Sequence, residues 1–183
     1  MQLAAIAIVL ALFASSADAA DVSDATTTRG TLQAAFAPWD NVEQLIADAL
    51  AAADKQILVQ AYLLTSKKIA AALVAARQRH IDVRVLINAE QLTKVPSTVV
   101  PELASAGIPV WIETKYQNAH NKIIVIDADT LDATVITGSY NFTWTAQHRN
   151  AENILIVRNN PALASRYVLN WERHCQEAMP YKK

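Results

Sequence analysis

Hydrophobic positions follow two rhythms along the chain, and each rhythm predicts a kind of element. Val42, Leu45, Ile46, Ala49, Leu50 and Ala53 recur at the spacing of one helical face. Asp40, with Glu43 three residues on, has the form of a capping box at the start of that helix. A strand over residues 31–37 precedes it and is closed by Pro38. The apolar run Ile57–Leu63 predicts a buried strand. Ser66 then opens a helix whose Ile69, Leu73 and Ala76 share a face. Ile81, Val83, Val85 and Ile87 alternate with Asp82, Arg84 and Leu86, a strand pattern. A shorter helix over Ser97–Ser105, stopped at Gly107, leads to a strand over Ile108–Ile112. Strands separated by helices predict βαβ units and a layered α/β domain.

The rhythm changes in the second half. Residues Lys122–Asp127 and Ala133–Thr137 read as an antiparallel hairpin, Asn153–Val157 as a further strand, and Pro161–Cys175 as a closing helix. The expected fold class is therefore α/β, a mixed sheet flanked by helices, parallel early and antiparallel late. Ahead of all this, Leu3–Phe13 is apolar but too short for a bilayer, which needs about 20 such residues. The small residues Ala17 and Ala19 follow in an A-x-A step. This layout predicts a secretory signal over residues 1–19 cleaved near Ala19, a flexible segment over 20–30, and one domain over 31–183. The expected location is exported, periplasmic or secreted.

Composition narrows the function. Hydrophobic residues are 52% and charged residues 18%, which suits a packed core. A net charge of −1 excludes recognition by bulk electrostatics, so any polyanion must meet a local basic patch. The single cysteine, Cys175, excludes an internal disulfide and a cysteine-based zinc site. With three glycines and no Gly-rich phosphate loop, a nucleotide cofactor is not expected. His80, His148 and His174 have no metal-ligand spacing among themselves or with Cys175, so no metal is expected either.

One stretch carries chemistry: His120-Asn121-Lys122, then Asp127, then Gly138-Ser139-Tyr140-Asn141. On a strand His120 and Lys122 share a face, while Asp127, seven positions on, falls on the other. If Asp127 faces Asp132 in the hairpin, His120 lies opposite Ser139, and a register error of one still leaves Ser139 and Asn141 beside it. An imidazole, a fixed cation, a hydroxyl and an amide then meet at one end of the hairpin. Imidazole can be a nucleophile or an acid near neutral pH, and the other groups can hold phosphoryl oxygens. This set suits phosphodiester cleavage without a metal, provided a second imidazole is present.

These residues resemble the HxKxxxxD…GSxN signature of the phospholipase D superfamily, and most of all its small, single-motif, exported bacterial endonucleases. The segment Asn150-Ala151-Glu152-Asn153 is similar to that subgroup too. The resemblance implies that His120 is the nucleophile of a covalent phosphohistidine, and that Lys122, Ser139 and Asn141 bind phosphate. It implies that Glu152 orients the imidazole. Asp127 belongs to the same catalytic motif, in a mainly structural role. A single motif per chain implies a homodimer that pairs two copies of His120. Ten residues, Ala128–Thr137, separate Asp127 from Gly138, four more than is usual, an even number that preserves face parity.

The expected activity is metal-independent hydrolysis of DNA, with RNA as a further substrate. The alternatives are a phospholipase D acting on phospholipid head groups and a non-catalytic DNA-binding or interaction protein. Lys115, Tyr116, His148 and Arg149 flank the motif. Lys115 and Arg149 are candidate contacts to a nucleic-acid backbone, and Tyr116 or Trp144 a candidate stacking surface.

Overall fold

The computed structural model describes residues 30–182. The predicted signal segment, its cleavage point and residues 20–29 lie outside the described residues. β1 (Thr31–Ala37), α1 (Val42–Ala51), β2 (Gln56–Ala61), α2 (Lys67–Gln78) and β3 (Asp82–Asn88) follow in the predicted order. Then come α3 (Glu90–Lys94), α4 (Val100–Ser105) and β4 (Val110–Glu113). β5 (Lys122–Ile126) and β6 (Thr134–Gly138) form the hairpin, followed by α5 (Trp144–His148), β7 (Glu152–Arg158), α6 (Pro161–Glu177) and the short β8 (Met179–Pro180). The short α3, α5 and β8 have no hydrophobic period long enough to predict them.

Local chemistry explains the boundaries. Ser66 caps α2 by accepting from the Ile69 N–H at 3.1 Å. The cap of α1 differs from expectation. Asn41, not Asp40, accepts from the Gln44 N–H, at 3.1 Å, while Asp40 turns back to the Phe36 N–H at 2.8 Å. Glu43 does not return to the cap; it accepts from the Ser66 hydroxyl at 2.6 Å and ties α1 to α2. Gly107 takes a φ of 77° directly after α4, the left-handed conformation that ends helices.

The eight strands form one mixed sheet in the order β1-β7-β6-β5-β2-β3-β4-β8. β2, β3 and β4 run parallel, and the remaining neighbours pair antiparallel. One face is covered by α1 and α2, where Ile46, Leu50, Ile69 and Leu73 pack on Val59, Val85 and Ile124. Each such side chain contributes about 1.5–3 kcal/mol when fully buried. On the other face α6 brings Trp171 and Ala164 against Leu58, Leu86, Val125 and Val135. That cover stops short of the β1–β7 edge, where Leu32, Phe36 and Leu155 stay exposed.

Candidate functional site

The site forms where β5 begins and β6 ends. Lys122 is the first residue of β5, opposite Ala61, and the Tyr62 N–H donates to the Asn121 carbonyl at 2.7 Å, carrying the pairing one step further. On the other side, a Cβ on Gly138 would sit 2.2 Å from the Asn153 carbonyl oxygen, so glycine alone lets β6 approach β7 this closely. The Ser139 N–H then donates to Asn153 O at 3.1 Å. Phe142 exchanges backbone bonds with Leu63, Thr65 and Ser66, which pins the stretch containing Asn141 to the β2–α2 connection. Ala37 lies opposite Glu152, so the end of β1 reaches the same place.

The hairpin register is one residue from the expected one: Ile124 faces Ile136 and Ile126 faces Thr134. Continued outward, this places His120 level with Tyr140, between Ser139 and Asn141. The cause lies in the connection. Asp127 takes a φ of 51°, and bonds from Thr130 N to Asp127 O and from Ala133 N to Thr130 O close it as consecutive turns.

His120 is exposed and Lys122 is buried, yet they touch: Lys122 Nζ lies 2.9 Å from His120 Nδ1 and donates to the His120 carbonyl at 2.7 Å. The Tyr62 ring backs both groups. Its centroid is 4.4 Å from the imidazole centroid and 5.0 Å from Lys122 Nζ. Burial lowers the His120 pKa below the ordinary imidazole value, and the Lys122 ammonium adds to that shift. Burial also lowers the Lys122 pKa, while the Glu152 carboxylate opposes it. Tyr62 was hidden from the sequence because it closes an apolar run that reads as strand.

Glu152 accepts from the Ser139 hydroxyl at 2.5 Å and from Asn150 Nδ2 at 2.9 Å. Among the described residues no hydrogen bond joins it to His120, so the expected orienting contact is absent within one chain. Its carboxylate acts on Lys122 through its field instead. Ser139 Oγ also accepts from the Asn153 N–H at 3.1 Å. Among the described residues, the buried Asn141 Oδ1 has no hydrogen-bond partner. Thus the described site holds His120, Lys122 and Tyr62 as one contact group and Ser139, Glu152, Asn150 and Asn153 as another, coupled by charge.

Four predicted residues are placed elsewhere or held by other groups. Asp127 sits at the far end of β5, roughly 20 Å along the strand direction from His120. Its carboxylate accepts from the backbone N–H groups of Asp54, Lys55 and Gln56 at 2.9, 2.7 and 2.9 Å. Within the catalytic motif it is therefore placed as an architectural residue, in keeping with the mainly structural role expected for it. Lys115 is ion-paired with Glu177 at the end of α6, and Tyr116 packs on His174 with centroids 5.2 Å apart, so both anchor the loop to α6. Arg149 lies over the Trp144 ring, 5.8 Å from its centroid. Among the described residues no three His, Cys, Asp or Glu side chains gather as a metal site.

A family model described as "Cardiolipin synthase, PLD-like domain" matches residues 46–174. "Phospholipase D" of Rickettsia prowazekii is 36% identical over 144 residues, covering 79% of this chain and 67% of that protein. "Mitochondrial cardiolipin hydrolase" of Xenopus laevis is 29% identical over 131 residues, covering 72% of this chain and 60% of that protein. Among solved structures, a phospholipase D family member, Nuc from Salmonella typhimurium, superposes with a TM-score of 0.77 at 30% identity, covering 85% of this chain and all (100%) of that one. NucT from Helicobacter pylori, at 16% identity and a TM-score of 0.73, shares the fold. With the histidine–lysine contact, the serine and asparagine turn and the mixed sheet all in place, the chain belongs to the phospholipase D superfamily and is a phosphodiester hydrolase of that superfamily.

Proposed function

We propose that the protein is a metal-independent endonuclease that hydrolyses DNA, with RNA as a further substrate, through a covalent phosphohistidine. The observation that carries this reading is the contact group of His120 and Lys122 beside Ser139 and Asn141. It supplies a neutral imidazole, with the Lys122 ammonium and the Asn141 amide as donors for phosphoryl oxygens and the Ser139 hydroxyl released to them if it turns away from Glu152. While the Lys122 ammonium donates to Nδ1, the imidazole proton resides on Nε2. Phosphate oxygens compete for the same ammonium and free Nδ1, and the neutral ring then moves its proton from Nε2 to Nδ1 through solvent, leaving a lone pair on Nε2. Nε2 then attacks phosphorus, the P–O bond to the leaving oxygen breaks, and an acid protonates that oxygen. Water displaces the histidine and restores the enzyme.

The acid is a second His120. His174 is held by Glu113 at 2.5 Å and His148 stacks on Trp144, so neither serves the site as placed. We therefore read the working form as a homodimer. The exposed strip of Leu32, Phe36 and Leu155 on one sheet face supplies apolar area for a second copy. Mixing His120→Ala subunits with wild type tests this. Activity should fall faster than the wild-type fraction, and a linear relation would show each chain working alone.

Relatives named phospholipase D and cardiolipin hydrolase favour a second reading, hydrolysis of phospholipid head groups. Plasmid DNA and phosphatidylcholine–cardiolipin vesicles, offered in parallel in EDTA, separate the two. Cleavage of plasmid alone is expected; release of head groups alone would transfer the same chemistry to lipid. Export with cleavage near Ala19 completes the proposal. The mass of the mature protein recovered from the periplasm or medium should start at residue 20, and a mass that includes the first 19 residues would reject it.

A further inference from the structure

The four tryptophans divide sharply. Trp171 is 3% exposed and donates its indole N–H to the Val59 carbonyl, and Trp111 packs edge-on against it. Trp39 is 83% exposed and Trp144 is 55% exposed. Both exposed rings stand at the end of the sheet that carries His120. Trp39 lies two residues beyond Ala37, which faces Glu152, and Trp144 lies three residues beyond Asn141. Gln147 links their two segments, donating to the Asp40 carbonyl at 2.9 Å and accepting from the Glu43 N–H at 3.0 Å.

An open cleft of about 380 Å³ has Trp39, His148 and Lys68 in its lining, and Trp144 lies behind His148. One wall is already a stack. The His148 and Trp144 rings lie 4.5 Å apart at 38°, and the Arg149 guanidinium lies over the same indole. The opposite wall is the bare Trp39 indole. An exposed tryptophan gains nothing from burial, whereas a planar partner laid on it would remove apolar area and add stacking. Lys68 and Arg149 place cations beside this slot. The Glu43 carboxylate in the same cleft is engaged by the Ser66 hydroxyl and lies 4.0 Å from Lys68.

We propose that this cleft is a stacking subsite for one unpaired nucleobase, held by Trp39 and His148, with Trp144 behind the histidine, at the end of the sheet that carries His120. The inference rests on the nucleic-acid reading above and adds to it a place where the strand is gripped by its base. A duplex keeps its bases stacked inside the helix and cannot fill the slot without flipping one out, so the subsite favours single strands.

The test uses the full chain carrying His120→Ala, so that substrate is held and not cut. With a fluorescein-labelled oligothymidylate of about 12 nucleotides, Trp39→Ala should weaken binding roughly 5- to 150-fold and Trp39→Phe distinctly less. Trp144→Ala should act in the same direction, and a duplex of equal length should change little. Unchanged thermal melting of the variants ties the loss to the cleft. Equal affinity of Trp39→Ala and parent for the oligonucleotide overturns the proposal, as does an equal loss for duplex. Trp39-dependent binding of phosphatidylcholine–cardiolipin vesicles in place of the oligonucleotide assigns the ring to lipid. A Trp39→Ala change in sedimentation assigns it to the interface between copies. Either result also overturns the proposal. Plasmid cleavage by the wild type is scored separately. If cleavage occurs and Trp39 is silent, only the subsite falls; if no nucleic acid is cleaved, the underlying reading falls.

Discussion

The two ends of β5 carry residues of one motif, and their surroundings are opposite. At the turn end, Asp127 is buried and its carboxylate is filled by three backbone N–H groups from the α1–β2 connection. At the open end, among the described residues, His120 is exposed, Lys122 is buried with no carboxylate within salt-bridge distance, and Asn141 Oδ1 is buried with no hydrogen-bond partner. Satisfied polar groups stabilise a fold, and an unsatisfied one beside an exposed imidazole leaves capacity for a ligand. A motif written as a single string therefore holds two kinds of residue, one for architecture and one for chemistry.

Substitutions can break that contrast, and the largest effect is expected at His120. His120→Ala should lower phosphodiester cleavage by on the order of 10⁴-fold or more, with stability within about 0.5 kcal/mol of the parent. A variant that keeps a tenth of the activity would remove His120 from the reaction. Lys122→Ala comes next, with cleavage reduced about 10²–10³-fold through lost charge stabilisation. Steady-state kinetics should show the loss in kcat; a loss in KM alone would make Lys122 a ground-state binder.

Asp127→Ala should show the reverse pattern. Three backbone donors lose their acceptor, at a cost of about 1–3 kcal/mol for each buried group left unpaired. Partial hydration of residues 54–56 brings the sum to about 3 kcal/mol, or a Tm lower by roughly 6–12 °C. At low temperature the folded fraction should cleave within a few-fold of wild type. A stable but inactive Asp127→Ala protein would erase the distinction between the two ends.

Tyr62 gives the smallest and most local effect. Its ring shields the imidazole, and burial is the leading cause of the lowered His120 pKa. The lowered value keeps His120 neutral further into acid, so the acid limb of the rate profile should lie below about pH 6.5, the unperturbed value. Tyr62→Ala should move that limb upward, toward the unperturbed value, and Tyr62→Phe should leave it in place. An NMR titration of the His120 ring in both variants reads this directly, and an unmoved titration in Tyr62→Ala would assign the burial to other groups.

Much of this was legible in the sequence, for identifiable reasons. β1 matches its predicted bounds because Pro38 punctuates it, and α2 begins where Ser66 caps it. The contact of His120 with Lys122 followed from strand parity within β5, whereas the partners expected across the hairpin move by one position in the observed register. What sequence could not give depended on contacts between distant segments. The shift itself arises from the turns after Asp127. Lys115 is taken up by Glu177, 62 residues away, and Glu152 by Ser139, 13 residues away. Tyr62 meets His120 across the β2–β5 pairing, a meeting that no local period records.

The central claim is that the open end of β5 cleaves phosphodiesters in nucleic acid with the chain's own histidine and no metal. Supercoiled plasmid incubated in EDTA with the purified protein, beside His120→Ala, tests it most directly. Nicking and then degradation by the wild type, with plasmid left intact by His120→Ala, is the expected result. Cleavage that stops in EDTA and returns with a divalent cation, or that persists in His120→Ala, would contradict it.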